Sequence, residues 1–216
     1  MYKAILFDLD DTLYDFYTYR TEQLQLALAN IFEHYPYLQP ASLIQRAIDT
    51  HVYHHQLPTF LRTHGVDDEA LITAACATHE YDWFEKMQLD QDAIPLLEWL
   101  RPTYKLGLVT NGPSWTQRAK IEQFQLAAYM DVLTVSEEVG IAKPDPIIFH
   151  MTLEQLDIQP GAALFVGDSP EHDLCGANAA GIQSIWINRR GLALPEDTPK
   201  PLATITRLAE VTTLIS

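Results

Sequence analysis

Five short runs of apolar and branched residues constrain this fold more than any other feature: Lys3 to Asp10, Tyr104 to Thr110, Val132 to Ser136, Ala162 to Asp168 and Gln183 to Asn188. Most are continuous rather than alternating, the pattern of strands buried on both faces, as in a parallel sheet covered by helices. Helical spacing fills the gaps between the last four runs, at Ser114 to Phe124, Pro146 to Leu156 and Glu171 to Ala180. Strand and helix therefore alternate as an open α/β sheet requires. Gly181 stands where the last of these helices needs a C-terminal cap.

The gap between the first two runs is different. From about Thr18 to Lys86 no convincing strand is present, and apolar residues recur at helical spacing, as at Leu24, Leu28, Ile31 and Phe32. Breaks near Pro36 to Pro40 and at His64-Gly65 divide this block into three or four helices. The expected architecture is a Rossmann-like parallel sheet core with helices on both faces, residues 1–13 and 90–216, and an inserted all-helical domain, residues 14–89. Asp90 to Pro102 forms the crossover helix that returns to the sheet. The tail beyond Gly191, with Pro195, Pro199 and Pro201, reads as a surface loop leading to a short terminal helix.

A chain of 216 residues with 47% apolar and 20% charged side chains can bury a core without staples. Cys76 and Cys175 lie in no metal or redox spacing, so free thiols in a reducing compartment are expected. The N-terminus meets Asp8 too early for a signal peptide, and no stretch approaches the ~18 apolar residues of a membrane helix. A cytoplasmic protein, monomeric or homodimeric, is the expectation. The net charge of −15, with no basic cluster, argues against a nucleic-acid polymer as partner. It leaves room for a small phosphorylated metabolite, whose charge a bound cation and a few cationic side chains can offset.

In an open α/β sheet ligands bind at the carboxyl ends of the strands, so the residues that end each run carry the chemical information. The first run ends Asp8-Leu9-Asp10-Asp11-Thr12, and two carboxylates two residues apart can divide the labour of nucleophile and acid/base. Asp11-Thr12 could also serve as a turn or cap. Thr110-Asn111-Gly112, with Pro113 near the first helical position, offers a hydroxyl, an amide and a backbone able to approach an anion. Lys143 lies between Gly140 and Pro146, where two prolines restrict the direction of its ammonium group. Gly167-Asp168-Ser169 and Asp173 place acidic oxygens at a strand end and in the next turn, suited to a hard cation.

These four segments, in this order and spacing, resemble the four motifs of the haloacid dehalogenase-like hydrolases. The resemblance spans nearly the whole chain, and the helical insertion resembles the cap of the branch whose cap enters between the first and second motifs. It implies that Asp8 attacks phosphorus to form an aspartyl-phosphate, and that Asp10 protonates the leaving oxygen and then deprotonates water. Thr110 and the backbone at Asn111 and Gly112 would hold phosphoryl oxygens, with Lys143 neutralising charge. Magnesium would be held by Asp8, the main-chain carbonyl of Asp10 and Asp168, supported by Asp173, Ser169 and Thr12.

The resemblance implies a Mg²⁺-dependent phosphomonoester hydrolase. Dehalogenases of the family lack the second aspartate that Asp10 supplies, and phosphonate hydrolases use a cap lysine, of which there is none between Lys3 and Lys86. A phosphomutase shares the roles of Asp8 and Asp10. A non-catalytic module that binds a phosphorylated ligand is the rival of another class. Tyr14, Phe16, Tyr17, Tyr19, Tyr53, His54 and His55 could stack on a nucleobase or pack the cap, and Arg20 is a candidate substrate contact. A nucleoside monophosphate is the first expectation for substrate, a sugar phosphate the second.

Overall fold

A computed structural model describes residues 1–50, 52–80 and 86–215. The chain divides into two compact units, residues 1–15 with 88–216, and residues 16–87.

The larger unit is built on one six-stranded sheet. Its strands are β1 (Ala4–Phe7), β2 (Lys105–Thr110), β3 (Val132–Val135), β4 (Ala163–Gly167), β5 (Gln183–Ile187) and β6 (Ala203–Ile205). All pairs are parallel and the order is β3-β2-β1-β4-β5-β6. The five runs form strands where the sequence places them, and the continuous apolar reading is met by strands such as β1 and β4, in which every residue is buried. β6 is a difference: the proline-bearing tail contributes a short sixth strand beside β5 before its terminal helix. With only three residues it is too short to display a strand pattern, and pairing with Ile185 to Ile187 makes it a strand.

The order reverses at β1, where the chain leaves by β2 on one side and returns by β4 on the other. That reversal opens a crevice at the carboxyl ends of β1 and β4, where such sheets bind ligands. Helices stand between consecutive strands from β1 to β5, the usual crossover between parallel strands. Of the ten α-helices among the described residues, α5 (Ala93–Leu100) leads to β2, α6 (Ser114–Gln123) follows it, and α7 (Ser136–Val139) and α8 (Pro146–Leu156) follow β3. After β4 comes a single π-helical turn, Pro170–Leu174, then α9 (Cys175–Ala179), and α10 (Val211–Ile215) ends the chain. Gly181 takes up a left-handed φ of 77° just past α9, and its amide closes the helix onto Asn178. One core under the sheet joins Leu6, Val109 and Phe165 to Ile148, Phe149 and Leu153 of α8. Gly107 leaves room for its neighbours: a β-carbon there would lie 2.6 Å from the Leu6 side chain on β1 and 3.3 Å from Thr152 of α8.

Among the described residues of the smaller unit the regular elements are helices: α1 (Phe16–His34), α2 (Pro40–Asp49), α3 (Leu57–Thr63) and α4 (Glu69–Glu80), with a 3-10 turn at His54–Gln56. Leu24, Leu28 and Ile31 of α1 pack with Leu43 and Ile44 of α2, Leu57 and Leu61 of α3, and Ile72 and Ala75 of α4. The parts of the expected insertion at residues 51 and 81–85 lie outside the described residues. Among the described residues no helix is long and apolar enough to cross a membrane.

His79, on α4, is buried beside Arg20 and His54, its ring 6.5 Å from that of His54. Burial, and then the neighbouring positive charges of Arg20 and His54, lower its pKa to about 4. The unfolded chain therefore holds a proton on His79 between about pH 4 and 6.5 that the folded one refuses. The stability this contributes is whole above pH 6.5 and is lost as pH falls through that window. Urea unfolding at pH 7.5 and pH 5.0 should show a loss smaller by about 2 kcal/mol in His79→Phe than in the wild type.

Candidate active site

Strand register sets the first two carboxylates. Phe7 pairs with Val166 across β1 and β4, so Asp8 comes level with Gly167 and Asp168 follows one residue beyond, near enough for their carboxylate oxygens to lie within 4.8 Å, and the Asp8 amide still donates to the Val166 carbonyl at 3.0 Å. Asp173 arrives from the π-helical turn. Its approach depends on Gly167, since a β-carbon there would lie 2.4 Å from Asp173 Oδ2. The Ser169 amide donates to that same oxygen at 3.0 Å, and the Ser169 hydroxyl accepts from the His172 amide at 3.2 Å, capping the turn.

Lys143 joins these groups. Its Nζ donates to Asp8 Oδ1 at 2.5 Å and to Asp173 Oδ1 at 2.7 Å, and all three side chains are almost wholly buried. The loop that carries it is held by Asn111, whose amide group donates to the Lys143 carbonyl and whose carbonyl oxygen accepts from the Lys143 amide, both at 2.9 Å. The Lys143–Pro144 peptide bond is cis. The Asn111 side chain thus positions the lysine loop, leaving any contact with an anion to its backbone.

One ammonium beside two buried carboxylates and a half-buried third is an imbalance of charge. Burial raises the Asp8 carboxyl to about 7 despite the opposing pull of Lys143, with Asp173 and Asp10 adding to the rise. Asp168 is raised well above the ordinary carboxylate range, by burial first and then by Asp173 and Asp8. Burial by itself would lower the Lys143 pKa, but Asp173 and Asp8 outweigh it and raise the lysine. Oxygens of Asp8, Asp168 and Asp173 lie within 4.8 Å of one another, a hard all-oxygen donor set whose excess negative charge a divalent cation would offset. Both Asp173 oxygens already accept hydrogen bonds, from Lys143 and Ser169.

Asp10 stands apart from this group. Lys120 Nζ donates to both of its oxygens at 2.8 Å, Gln117 Nε2 reaches Oδ2 at 3.2 Å, and the Tyr14 hydroxyl donates to Oδ1. Asp8 and Asp10 therefore have separate cations, Lys143 for Asp8 and Lys120 for Asp10. Asp11 turns the chain with a left-handed φ of 58°, which a short polar side chain tolerates. The Thr12 hydroxyl is buried with no hydrogen-bond partner among the described residues, while its carbonyl accepts from Arg189 at 2.7 Å. Arg189 also reaches Asp90 at 2.5 Å, fastening the segment after β1 to the segment before α5.

Thr110 is buried at the end of β2, its hydroxyl accepting from Gln117 Nε2 at 2.5 Å. Gly112 differs from the sequence reading: its amide donates to the Ser136 hydroxyl at 3.0 Å rather than standing open to an anion. Its φ of 139° favours glycine, and a β-carbon there would lie 3.3 Å from the Gln117 side chain. Arg20, in the helical unit, is buried with Nη2 donating to the Val52 carbonyl at 2.6 Å and its guanidinium 5.4 Å from the Tyr53 ring.

Gln117, Lys120 and Arg189 were not anticipated, and Tyr14, read as an aromatic that could stack on a base or pack the cap, instead donates to Asp10. A lysine on a helix reads as solvated, and the one available signal was that Gln117 and Lys120 lie three apart on α6, on one face, directly after the Thr110-Asn111-Gly112 segment.

The family model for the haloacid dehalogenase-like hydrolases matches residues 2–181. Glyceraldehyde 3-phosphate phosphatase from Methanopyrus kandleri is 32% identical over 200 residues, covering 88% of this chain and 85% of its own. Pyrimidine 5'-nucleotidase YjjG from Escherichia coli is 38% identical over 124 residues, 57% of this chain and 55% of its own. The crystal structure of a 2-haloacid dehalogenase from Pseudomonas syringae superposes with a TM-score of 0.67 at 29% identity, covering 100% of this chain and 98% of that one. With the four segments assembled at the carboxyl ends of a parallel sheet, the chain belongs to the haloacid dehalogenase-like hydrolases and is a hydrolase of their phosphatase kind.

Proposed function

We propose that this protein is a magnesium-dependent phosphomonoester hydrolase that works through an aspartyl-phosphate on Asp8. The observation that carries the reading is Lys143 Nζ bridging Asp8 and Asp173, with Asp168 in the same 4.8 Å cluster. A buried, oriented carboxylate with an ammonium group and a hard cation site is what phosphoryl transfer needs, since that chemistry rests on positioning and charge neutralisation.

In the first step a carboxylate oxygen of Asp8 forms a bond to phosphorus. The ester P–O bond breaks, its electron pair goes to the leaving oxygen, and Asp10 delivers the proton that oxygen takes. In the second, water attacks phosphorus and gives its proton to Asp10, and the bond to Asp8 breaks with its electrons returning to the carboxylate. Lys143 holds Asp8 in place and offsets the charge of the phosphoryl group, while the Thr110 hydroxyl and the backbone at Asn111 hold its oxygens. Asp8, Asp168 and the main-chain carbonyl of Asp10 would hold magnesium, whose charge would stabilise the developing negative charge on the phosphoryl oxygens.

Two relatives support different substrates. The match to a triose-phosphate phosphatase extends over most of both chains, whereas the match to a pyrimidine nucleotidase is higher but spans about half. Several aromatic side chains that could stack on a base have other partners: Tyr14 bonds Asp10, Tyr17 bonds Gln45 and Tyr19 accepts from Gln23. These favour a small phosphorylated sugar or triose over a nucleoside monophosphate, in a cytoplasmic setting.

Phosphate release from a panel of sugar phosphates, nucleotides and p-nitrophenyl phosphate, with Mg²⁺ and with a chelator, tests the reading. Release should require the cation, vanish in Asp8→Asn and fall by about 10²–10⁴ in Asp10→Asn. Isomerisation of a sugar phosphate primed by its bisphosphate, without net release, would instead indicate a mutase. Gly167→Ala should displace Asp173 and with it Lys143, lowering kcat/KM about 10-fold or more in a protein that still folds by circular dichroism.

A further inference from the structure

We propose that Lys120, assisted by Gln117, is a positioning residue that fixes the Asp10 carboxylate for proton transfer to the leaving group. The inference rests on the reading of Asp10 as acid/base above.

Lys120 leaves the second turn of α6, yet its side chain is only 2% exposed. A buried ammonium is costly unless paired, and here it sits 2.8 Å from each Asp10 oxygen, with the Tyr14 ring 5.9 Å from Nζ. Contact with both oxygens, and not one, leaves the carboxylate little freedom to rotate about its last bond. Gln117, one turn earlier on the same face, ties Asp10 to the end of β2. Its Nε2 lies 3.2 Å from Asp10 Oδ2, 2.5 Å from the Thr110 hydroxyl and 3.1 Å from the Asn111 carbonyl. Asp10 and the Thr110-Asn111 segment thus share one anchor, which sets the distance between the proton donor and the phosphoryl seat.

The Asp10 side chain itself is 25% exposed, unlike the nearly closed Asp8 and Asp173. A pair needed only for stability would gain from being sealed. This one holds a carboxylate firmly from one side and leaves part of it accessible, the arrangement required of a group that must meet substrate and water.

Misplacing a proton donor by about an ångström costs up to about 100-fold, and the loss is selective. An alkyl leaving group needs the proton, whereas p-nitrophenolate departs without it. In Lys120→Met, kcat/KM for an alkyl phosphomonoester should fall about 10- to 100-fold while that for p-nitrophenyl phosphate stays within about 3-fold. Lys120→Arg should recover part of the loss, and Lys120→Met should have no further effect in an Asp10→Asn background. Gln117→Leu, which removes no buried charge, provides the same ratio if Lys120→Met fails to fold. Equal losses on both esters, a gain in activity, or additive losses in the double variant would overturn the inference and leave the proposed function standing. A wild-type protein that releases phosphate from neither ester would overturn both.

Discussion

The site depends on one shared proton donor: a buried lysine between two buried carboxylates. Lys143 is the cation through which the nucleophile candidate Asp8 and the supporting Asp173 can lie within a few ångströms of each other. Much of the local architecture serves that contact. The neighbouring places of β1 and β4 bring Asp8 to Asp168, Gly167 clears the space that Asp173 fills, and Asn111 fastens the lysine loop through both its amide and its carbonyl. Two buried carboxylates and a half-buried third around a single ammonium leave negative charge over, and a hard divalent cation is the simplest chemical complement to that excess.

Two carboxylates separated by one leucine would by themselves repel and behave alike. Their difference comes from the partners that the fold supplies on opposite sides. Asp8 faces the lysine loop and the π-helical turn, and Asp10 faces α6. Assigning a separate cation to each is a structural route to giving each a separate task, in line with the rule that acid/base pairs are told apart by their environments.

The helical unit has its own core and its own polar arrangement, in which Arg20, Tyr53, His54 and His79 gather. The aromatic wealth of this part of the chain therefore does not by itself point to a nucleobase, because several of those side chains have internal partners. The relatives agree on hydrolysis of small phosphorylated compounds and differ in which one.

Five strands, the longer helices between them, the helical insertion and the segments that end each strand were legible in the sequence alone, whereas the four-residue α7, whose first residue was read as the end of a strand, was not. The legible parts are written locally: continuous apolar runs, helical spacing, and acidic or glycine residues at strand ends. β6 was not legible, because three residues carry no period and pairing with β5 alone made them a strand. The Gly112 amide was read as open to an anion, but Ser136, 24 residues on, accepts it. Lys120 and Gln117 were invisible for the same reason, since the partner that distinguishes them from surface residues lies over a hundred positions away on β1's outgoing loop. The sequence determined which chemical groups stand at the ends of the strands. Only the tertiary structure decided which groups face each other, because hydrogen bonds and ion pairs between distant segments exist only once the sheet has set their register.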